Sequence, residues 1–122
     1  MNLRDSPGAD VGVLSRRASR GGTRGGVPSL SADEALRLQR QTPGWVLRDD
    51  AHRIERTFRF RNFREALAFV QRVGELAEAE GHHPDISFGW GCATVSLSTK
   101  KIKGLHENDF IMASKIDRML TS

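Results

Sequence analysis

The chain has 122 residues, enough for one domain of ordinary size and too few for two. Its formal net charge is +4, and residues 1–30 carry most of it, with five arginines against two aspartates. Residues 31–122 hold 14 basic and 13 acidic side chains, a net charge of only +1. The folded part therefore lacks the clustered positive charge typical of a nucleic-acid-binding surface.

Cysteine content and hydropathy exclude two further classes of protein. Cys92 is the only cysteine, which excludes an internal disulfide framework and a Cys-rich zinc site. A single thiol suits a reducing, cytoplasmic setting, and Cys92 itself is either a small buried residue or a reactive thiol. No apolar run approaches the roughly 20 residues that a membrane-spanning helix needs, so we expect no membrane association.

Residues 1–29 are rich in glycine, serine and arginine and contain few apolar residues. Such a segment cannot bury enough surface to offset the entropy lost on ordering, which predicts a disordered leader. Its arginines and serines also resemble an organelle transit peptide, although two aspartates and the glycines weaken an amphipathic helix. A weak nucleic-acid contact is a third interpretation. We place the globular domain at residues 30–122.

The first half of this domain predicts a helix followed by a hairpin. Ser31 and Glu34 have the spacing of a capping box, and Pro43-Gly44 would stop the helix. Apolar residues then alternate with polar ones on either side of Asp49-Asp50, as in two strands joined by a turn. The predicted elements are a helix over residues 32–41 and strands over residues 45–48 and 53–61.

The second half predicts a long helix, another hairpin and a last helix. Asn62 can cap a helix with an apolar stripe at spacings of three and four, and Gly81 is a natural stop. Two alternating segments follow, joined tightly around Gly91. The predicted elements are a helix over residues 63–80, strands over residues 86–90 and 93–98, a loop over residues 100–105, and a helix from residue 107.

The resulting order is αββαββα. Short connections make both hairpins antiparallel, so the predicted class is α+β: a four-stranded antiparallel sheet with the helices packed on one face. The other face carries polar residues such as Thr57, Arg59, Thr94 and Ser96. We expect this face, or a sheet edge, to pair with another subunit.

The chemically informative segment contains Glu78 and His82-His83-Pro84, at the end of the long helix. One interpretation is a surface turn with helix-terminal histidines that interact with the helix dipole. A metal site is less favoured, because adjacent histidines rarely converge on one ion. The third interpretation is general acid–base catalysis, since histidine exchanges protons near neutral pH.

The spacing of these residues resembles the signature of the pterin-4a-carbinolamine dehydratases. That signature has a glutamate-like residue, His-His-Pro, an aromatic residue, a His or Trp, and an Asp. The matching positions here are Glu78, His82-His83-Pro84, Trp90, Lys100 and Asp109. Further segments that resemble the family are Gly44-Trp45, residues 58–63, Gly104-Leu105 and residues 108–110. The resemblance covers about residues 30–120, and the family fold has the same αββαββα order.

The resemblance implies a hydro-lyase that dehydrates a 4a-hydroxytetrahydropterin to the quinonoid dihydropterin in pterin recycling. An aromatic amino acid hydroxylase would supply the substrate as metabolic partner, and no metal or cofactor is needed. By the same resemblance, His82 and His83 bind the pterin and share proton transfer, while Ser98 and Thr99 line the pocket. Relatives form homodimers or homotetramers.

The sequence defines the roles of three further residues less closely. Glu78 is one helical turn from His82, so we expect it to orient that imidazole. Trp45 and Trp90 either border the pterin pocket or belong to the core.

Lys100 departs from the signature because relatives have a third catalytic histidine at this position. A lysine is a cation at neutral pH, so Lys100 can donate a proton to a leaving hydroxyl but is a poor base. We therefore expect a slowed enzyme. The same departure favours a second hypothesis, a non-catalytic scaffold or transcriptional co-regulator on this fold, as the resemblance also implies.

Overall fold

A computed structural model describes residues 27–120 of the chain. The predicted leader lies almost wholly outside the described residues. In chain order the elements are α1 (Ala32–Gln39), β1 (Val46–Arg48), β2 (Arg53–Arg59), α2 (Phe63–Glu80), β3 (Asp85–Gly89), β4 (Cys92–Leu97), a 3₁₀ turn (Lys100–Ile102) and α3 (Glu107–Met119). The predicted α+β order is confirmed.

The helix ends follow the capping residues that the sequence indicates. Ser31 and Glu34 form the reciprocal capping box of α1, and the Asn62 side chain accepts a hydrogen bond from the backbone N–H of Glu65 at 2.8 Å. Gly81 ends α2 in the left-handed conformation, with φ of 66°. Helix α1 ends at Gln39, two residues before its predicted end.

The sheet has the strand order β1-β2-β4-β3 and is antiparallel throughout. Its centre is the pairing of β2 with β4, in register from Ile54 opposite Leu97 to Arg59 opposite Cys92. Strand β2 ends two residues earlier than predicted. Asn62 already caps α2, and Phe60 contacts the β3–β4 turn through an N–H donated to the Gly91 carbonyl at 2.8 Å.

The core lies between one face of this sheet and the three helices. Phe58 is at its centre, with ring centroids 4.7 Å from Phe69 and 5.9 Å from Trp45. Helix α3 is enclosed on most sides, since eight of its 13 residues are buried. Full burial of each large apolar side chain contributes about 1.5–3 kcal/mol, so this layer dominates the stability of the fold.

Within the described residues, no helix is both long and apolar enough to cross a bilayer.

Arg56 is a charged residue on the otherwise apolar face of β2 that the helices cover, between Ile54 and Phe58. Its guanidinium carbon is 4.7 Å from the centroid of the Phe58 ring, and Nη1 donates to Oδ1 of Asp117 at 2.7 Å. The indole N–H of Trp45 donates to the same oxygen at 2.9 Å. Gly44 leaves room for the guanidinium, since a Cβ there would lie 2.7 Å from Nη1.

Burial raises the pKa of the Asp117 carboxyl, and the hydrogen bond from Trp45 and the charge of Arg56 oppose that rise only in part. The folded protein therefore holds the Asp117 proton more tightly than the unfolded chain does. Asp117 consequently contributes stability that is fully present below the ordinary aspartate pKa, about 3.9, and is lost as the pH rises through its folded pKa.

We expect the unfolding free energy of the wild type to fall relative to that of Asp117→Asn as the pH rises from about 3 to 6, because asparagine does not ionise. Urea unfolding at a series of pH values measures this difference, with Asp50→Asn at an exposed turn as the matched control. A difference that moves in the opposite direction would show that the Arg56 charge, and not burial, governs this carboxyl.

Candidate active site

A cleft of about 200 Å³ lies where α2 ends, beside the end of β4. The end of α2 and the end of β4 form two of its walls. Residues 100–105, which we call the lysine loop, form the third. The loop was predicted to be irregular, but it contains the 3₁₀ turn and is closed at its base by pairing of Thr99 with Gly104. The residues lining the cleft are Gly81, His82, His83, Ser98, Thr99, Lys100 and Lys101.

Gly81 directs both histidines to the cleft. Its left-handed conformation turns the chain at the end of α2, and the backbone N–H of His82 still donates to the Ala77 carbonyl at 3.2 Å. The helix is thereby closed while the next residues leave its axis. A side chain at residue 81 would strain this backbone conformation, which favours glycine.

Asp109 forms the base of the site. The residue is completely buried, and its carboxylate contacts three other segments. Oδ2 accepts from the Thr99 hydroxyl at 2.8 Å and from the His106 backbone N–H at 3.0 Å. Oδ1 lies 2.6 Å from Nε2 of His82. The carboxylate thus completes the capping box of α3 while it holds an imidazole at the cleft.

This contact defines the protonation pattern of His82. An ionised carboxylate only accepts hydrogen bonds, so Nε2 of His82 carries the hydrogen that Asp109 receives. Nδ1 is then the nitrogen of the neutral ring that can accept a proton. The His82 side chain is only 13% exposed, so its orientation is set by the protein and not by solvent.

The second histidine is held differently. His83 is 61% exposed, and its Nε2 lies 2.5 Å from Oε2 of Glu78. The expectation that Glu78 orients His82 is therefore wrong, since Glu78 pairs with His83 and Asp109 pairs with His82. The spacing of four that aligns side chains on a helix no longer applies beyond Gly81, where the helix has ended.

Lys100 lies at the mouth of the cleft. Its side chain is 73% exposed, and Nζ lies 3.3 Å from Oδ1 of Asp85, the first residue of β3. Thr99 is buried at the base and Ser98 is half-buried, and both line the cleft.

The structure does not bring the two tryptophans to this cleft. Trp45 is completely buried in the core, which confirms the alternative interpretation. Trp90 is 73% exposed at the β3–β4 turn, so it lies neither in the core nor at the cleft. Strand β3 separates it from the cleft, and its five residues span roughly 17 Å at about 3.3 Å each.

Sequence reasoning missed the function of Asp109 as the partner of His82. The sequence indicated Asp109 only as the last residue of the signature. The pattern His106-x-x-Asp109 differs from the Ser/Thr-x-x-Glu/Gln signature of a capping box, so the box that the structure contains was not marked in the sequence.

These features define a small α+β protein with an oriented imidazole in a surface cleft. A family profile described as pterin 4 alpha carbinolamine dehydratase matches residues 28–119. The chain belongs to this family, which makes it a hydro-lyase by class.

Individual relatives agree. A Cupriavidus pinatubonensis protein with the provisional name pterin-4-alpha-carbinolamine dehydratase 1 is 64% identical over 79% of this chain and 83% of its own length. An Azoarcus relative with the same provisional family name is 63% identical over 78% of this chain and 81% of its own. A crystal structure described as a transcriptional coactivator/pterin dehydratase from Brucella melitensis has a TM-score of 0.70 and 30% identity, covering 75% of this chain and 97% of that one.

Replacement of Asp109 by asparagine should reverse the protonation pattern of His82. The amide oxygen is needed by the His106 N–H, so the amide N–H would face His82 and require an unprotonated Nε2. We expect the ring hydrogen to move to Nδ1, with a loss of about 1–3 kcal/mol in unfolding free energy.

Nitrogen NMR shifts of the histidine rings measure this change. Glu78→Gln is the matched control, because Glu78 contacts His83 and should leave the His82 ring as it is. Persistence of hydrogen on Nε2 in Asp109→Asn would contradict the assignment of Asp109 as the group that orients His82.

Proposed function

We propose that this protein dehydrates a 4a-hydroxytetrahydropterin to the quinonoid dihydropterin and water. The observation that carries the proposal is the buried Asp109 carboxylate behind His82, at a cleft that also contains His83 and Lys100. Family membership supports the same reaction class.

The reaction requires one proton to leave and one to arrive. The N5 lone pair forms a double bond to C4a as the C4a–O bond breaks, so the leaving oxygen must be protonated and N5 must lose its hydrogen. A base takes the N5 proton and an acid protonates the departing hydroxyl. The products are the quinonoid dihydropterin and water, and the two transfers leave the protein's total proton count unchanged.

The geometry supports a division of these tasks. His82 has an unprotonated Nδ1, because Asp109 receives the hydrogen on Nε2, so we assign it as the base. We assign His83 as the acid, because it is the second imidazole of the cleft, is held by Glu78 and is open to solvent, from which it can regain a proton. Lys100 supplies a cationic donor at the mouth, while Ser98 and Thr99 contact the ring of the bound pterin.

The proposed function also implies a cellular location, a metabolic partner and an oligomeric state. We infer a cytoplasmic protein that receives its substrate from an aromatic amino acid hydroxylase. We also infer a homodimer or homotetramer, because Trp90 is 73% exposed and the Phe63–Phe88 ring pair, with centroids 5.4 Å apart, lies at the surface.

A coupled assay tests the proposed function. A phenylalanine hydroxylase generates the 4a-hydroxypterin, and quinonoid dihydropterin formation is followed with and without this protein. We expect the wild type to accelerate the reaction, and His82→Ala to lose about 10²–10⁴-fold of that acceleration. Lys103→Gln, in the lysine loop but outside the cleft lining, is the matched control. No acceleration by the wild type, or full acceleration by His82→Ala, would refute the assignment.

The same assay tests Lys100. We expect Lys100→His to accelerate turnover, because an imidazole at this position can exchange protons in both directions near neutral pH. A rate equal to or below that of the wild type would show that Lys100 is not a substituted catalytic position.

The exposure of Lys100 and its pairing with Asp85 also favour a second candidate, a scaffold or co-regulator without turnover. The Brucella melitensis structure carries both descriptions. This candidate predicts an inactive wild type whose activity is restored by Lys100→His, an outcome that the assay separates from a slowed enzyme.

A further inference from the structure

The side chains that line the cleft become more exposed to solvent from its base to its rim. At the base, Thr99 is 5% exposed and His82 is 13% exposed. At the rim, Lys100 is 73% exposed, and its neighbour Lys101 is also exposed. A ligand therefore meets fixed hydrogen-bonding groups at the base and mobile cations at the mouth.

The size of the cleft determines which part of a ligand reaches each zone. Its volume of about 200 Å³ is below the roughly 300–1,000 Å³ of pockets that enclose a whole drug-sized molecule. A pterin with its reacting C4a and N5 at His82 fills the base with its ring. A substituent on the ring then extends past the rim, beside the two lysines.

The charges at the rim are only partly compensated. Glu78 pairs with His83, and Asp85 pairs with Lys100 at 3.3 Å with both side chains about 70% exposed. Exposed pairs of this kind are weak, so an incoming anion can replace Asp85 at little cost. Lys101 forms no ion pair with any carboxylate in the described range of the chain.

The lysines are held at this position by the same contacts that hold the base. Pairing of Thr99 with Gly104 closes the lysine loop, and the Thr99 hydroxyl donates to Asp109 at 2.8 Å. The backbone that carries Lys100 and Lys101 is therefore fixed relative to His82, although the lysine side chains remain free to adjust.

We propose that the cleft takes a pterin whose ring substituent is anionic, a carboxylate or a phosphate, with Lys101 and Lys100 as its binding cations. The inference rests on the proposed function, because it places the pterin ring at His82. It adds the substrate class: charge on the substituent, and not on the ring, distinguishes the preferred ligand from a neutral pterin.

Calorimetry with unreactive oxidised pterins tests this inference on the full chain. The probes are 6-hydroxymethylpterin, which is neutral, pterin-6-carboxylate, and the phosphate ester of 6-hydroxymethylpterin. We expect at least one anionic probe to bind about three- to tenfold more tightly than the neutral one, with the advantage reduced at high ionic strength. Of the two anionic probes, the one that binds more tightly shows whether carboxylate or phosphate is the preferred group.

Lys101→Gln should reduce the ratio of anionic to neutral affinity to about one third or less of the wild-type ratio. Lys103→Gln removes the same charge from the same loop outside the cleft lining and should leave most of the ratio intact. Unfolding midpoints of both variants establish that each one folds.

The outcomes separate the two proposals. If all three pterins bind with equal affinity, or if Lys101→Gln and Lys103→Gln change the ratio alike, the anionic substituent is overturned and the dehydratase is not. If none of them binds at millimolar concentration, the proposal that the cleft binds a pterin is refuted, and this inference is refuted with it.

Discussion

The carboxylate of Asp109 is the interaction on which the rest of the site depends. It lies completely buried and joins the start of α3, the segment after β4 and the turn after α2 through hydrogen bonds to His106, Thr99 and His82. A buried carboxylate is costly unless its oxygens are satisfied, and here the hydrogen bonds to Thr99 and His82 also hold two residues that line the cleft. The fold and the candidate site thus share the same atoms, because the carboxylate that caps α3 also holds the His82 ring.

The order of helices and strands was predictable, because the capping residues and the spacing of apolar residues indicate the same elements. Ser31, Asn62 and Gly81 mark helix ends by rules that involve only neighbouring residues, and alternation locates the strands. The strand order, with β2 next to β4, depends on contacts between residues far apart in sequence and was not specified by either hairpin. The resemblance to a family signature, and not local spacing alone, indicated the two histidines and the end of β4 as candidate site residues.

The partners of the histidines and the positions of the tryptophans were not predictable in the same way. Helical spacing paired Glu78 with His82, but the left-handed turn at Gly81 exchanged that partner for a residue of another helix. Trp45 and Trp90 have the same side chain and opposite environments, one completely buried and one 73% exposed. Composition and period do not distinguish them, because the difference arises from Phe58 and Asp117 around Trp45 and from the hairpin tip at Trp90.

The central pairing of β2 with β4 has a consequence for the order of folding. Each hairpin joins strands that are neighbours in sequence, whereas Ile54 meets Leu97 only after the chain containing all of α2 has closed into a long loop. Loop-closure entropy makes that step the slow one. The end of α2 and the end of β4 do not depend on this step, because the β3–β4 hairpin already pairs Asp85 with Ser96 and so places the two ends side by side. The walls of the cleft can therefore form with the local hairpin, and the cleft is complete once the last helix brings Asp109 to His82 and Thr99.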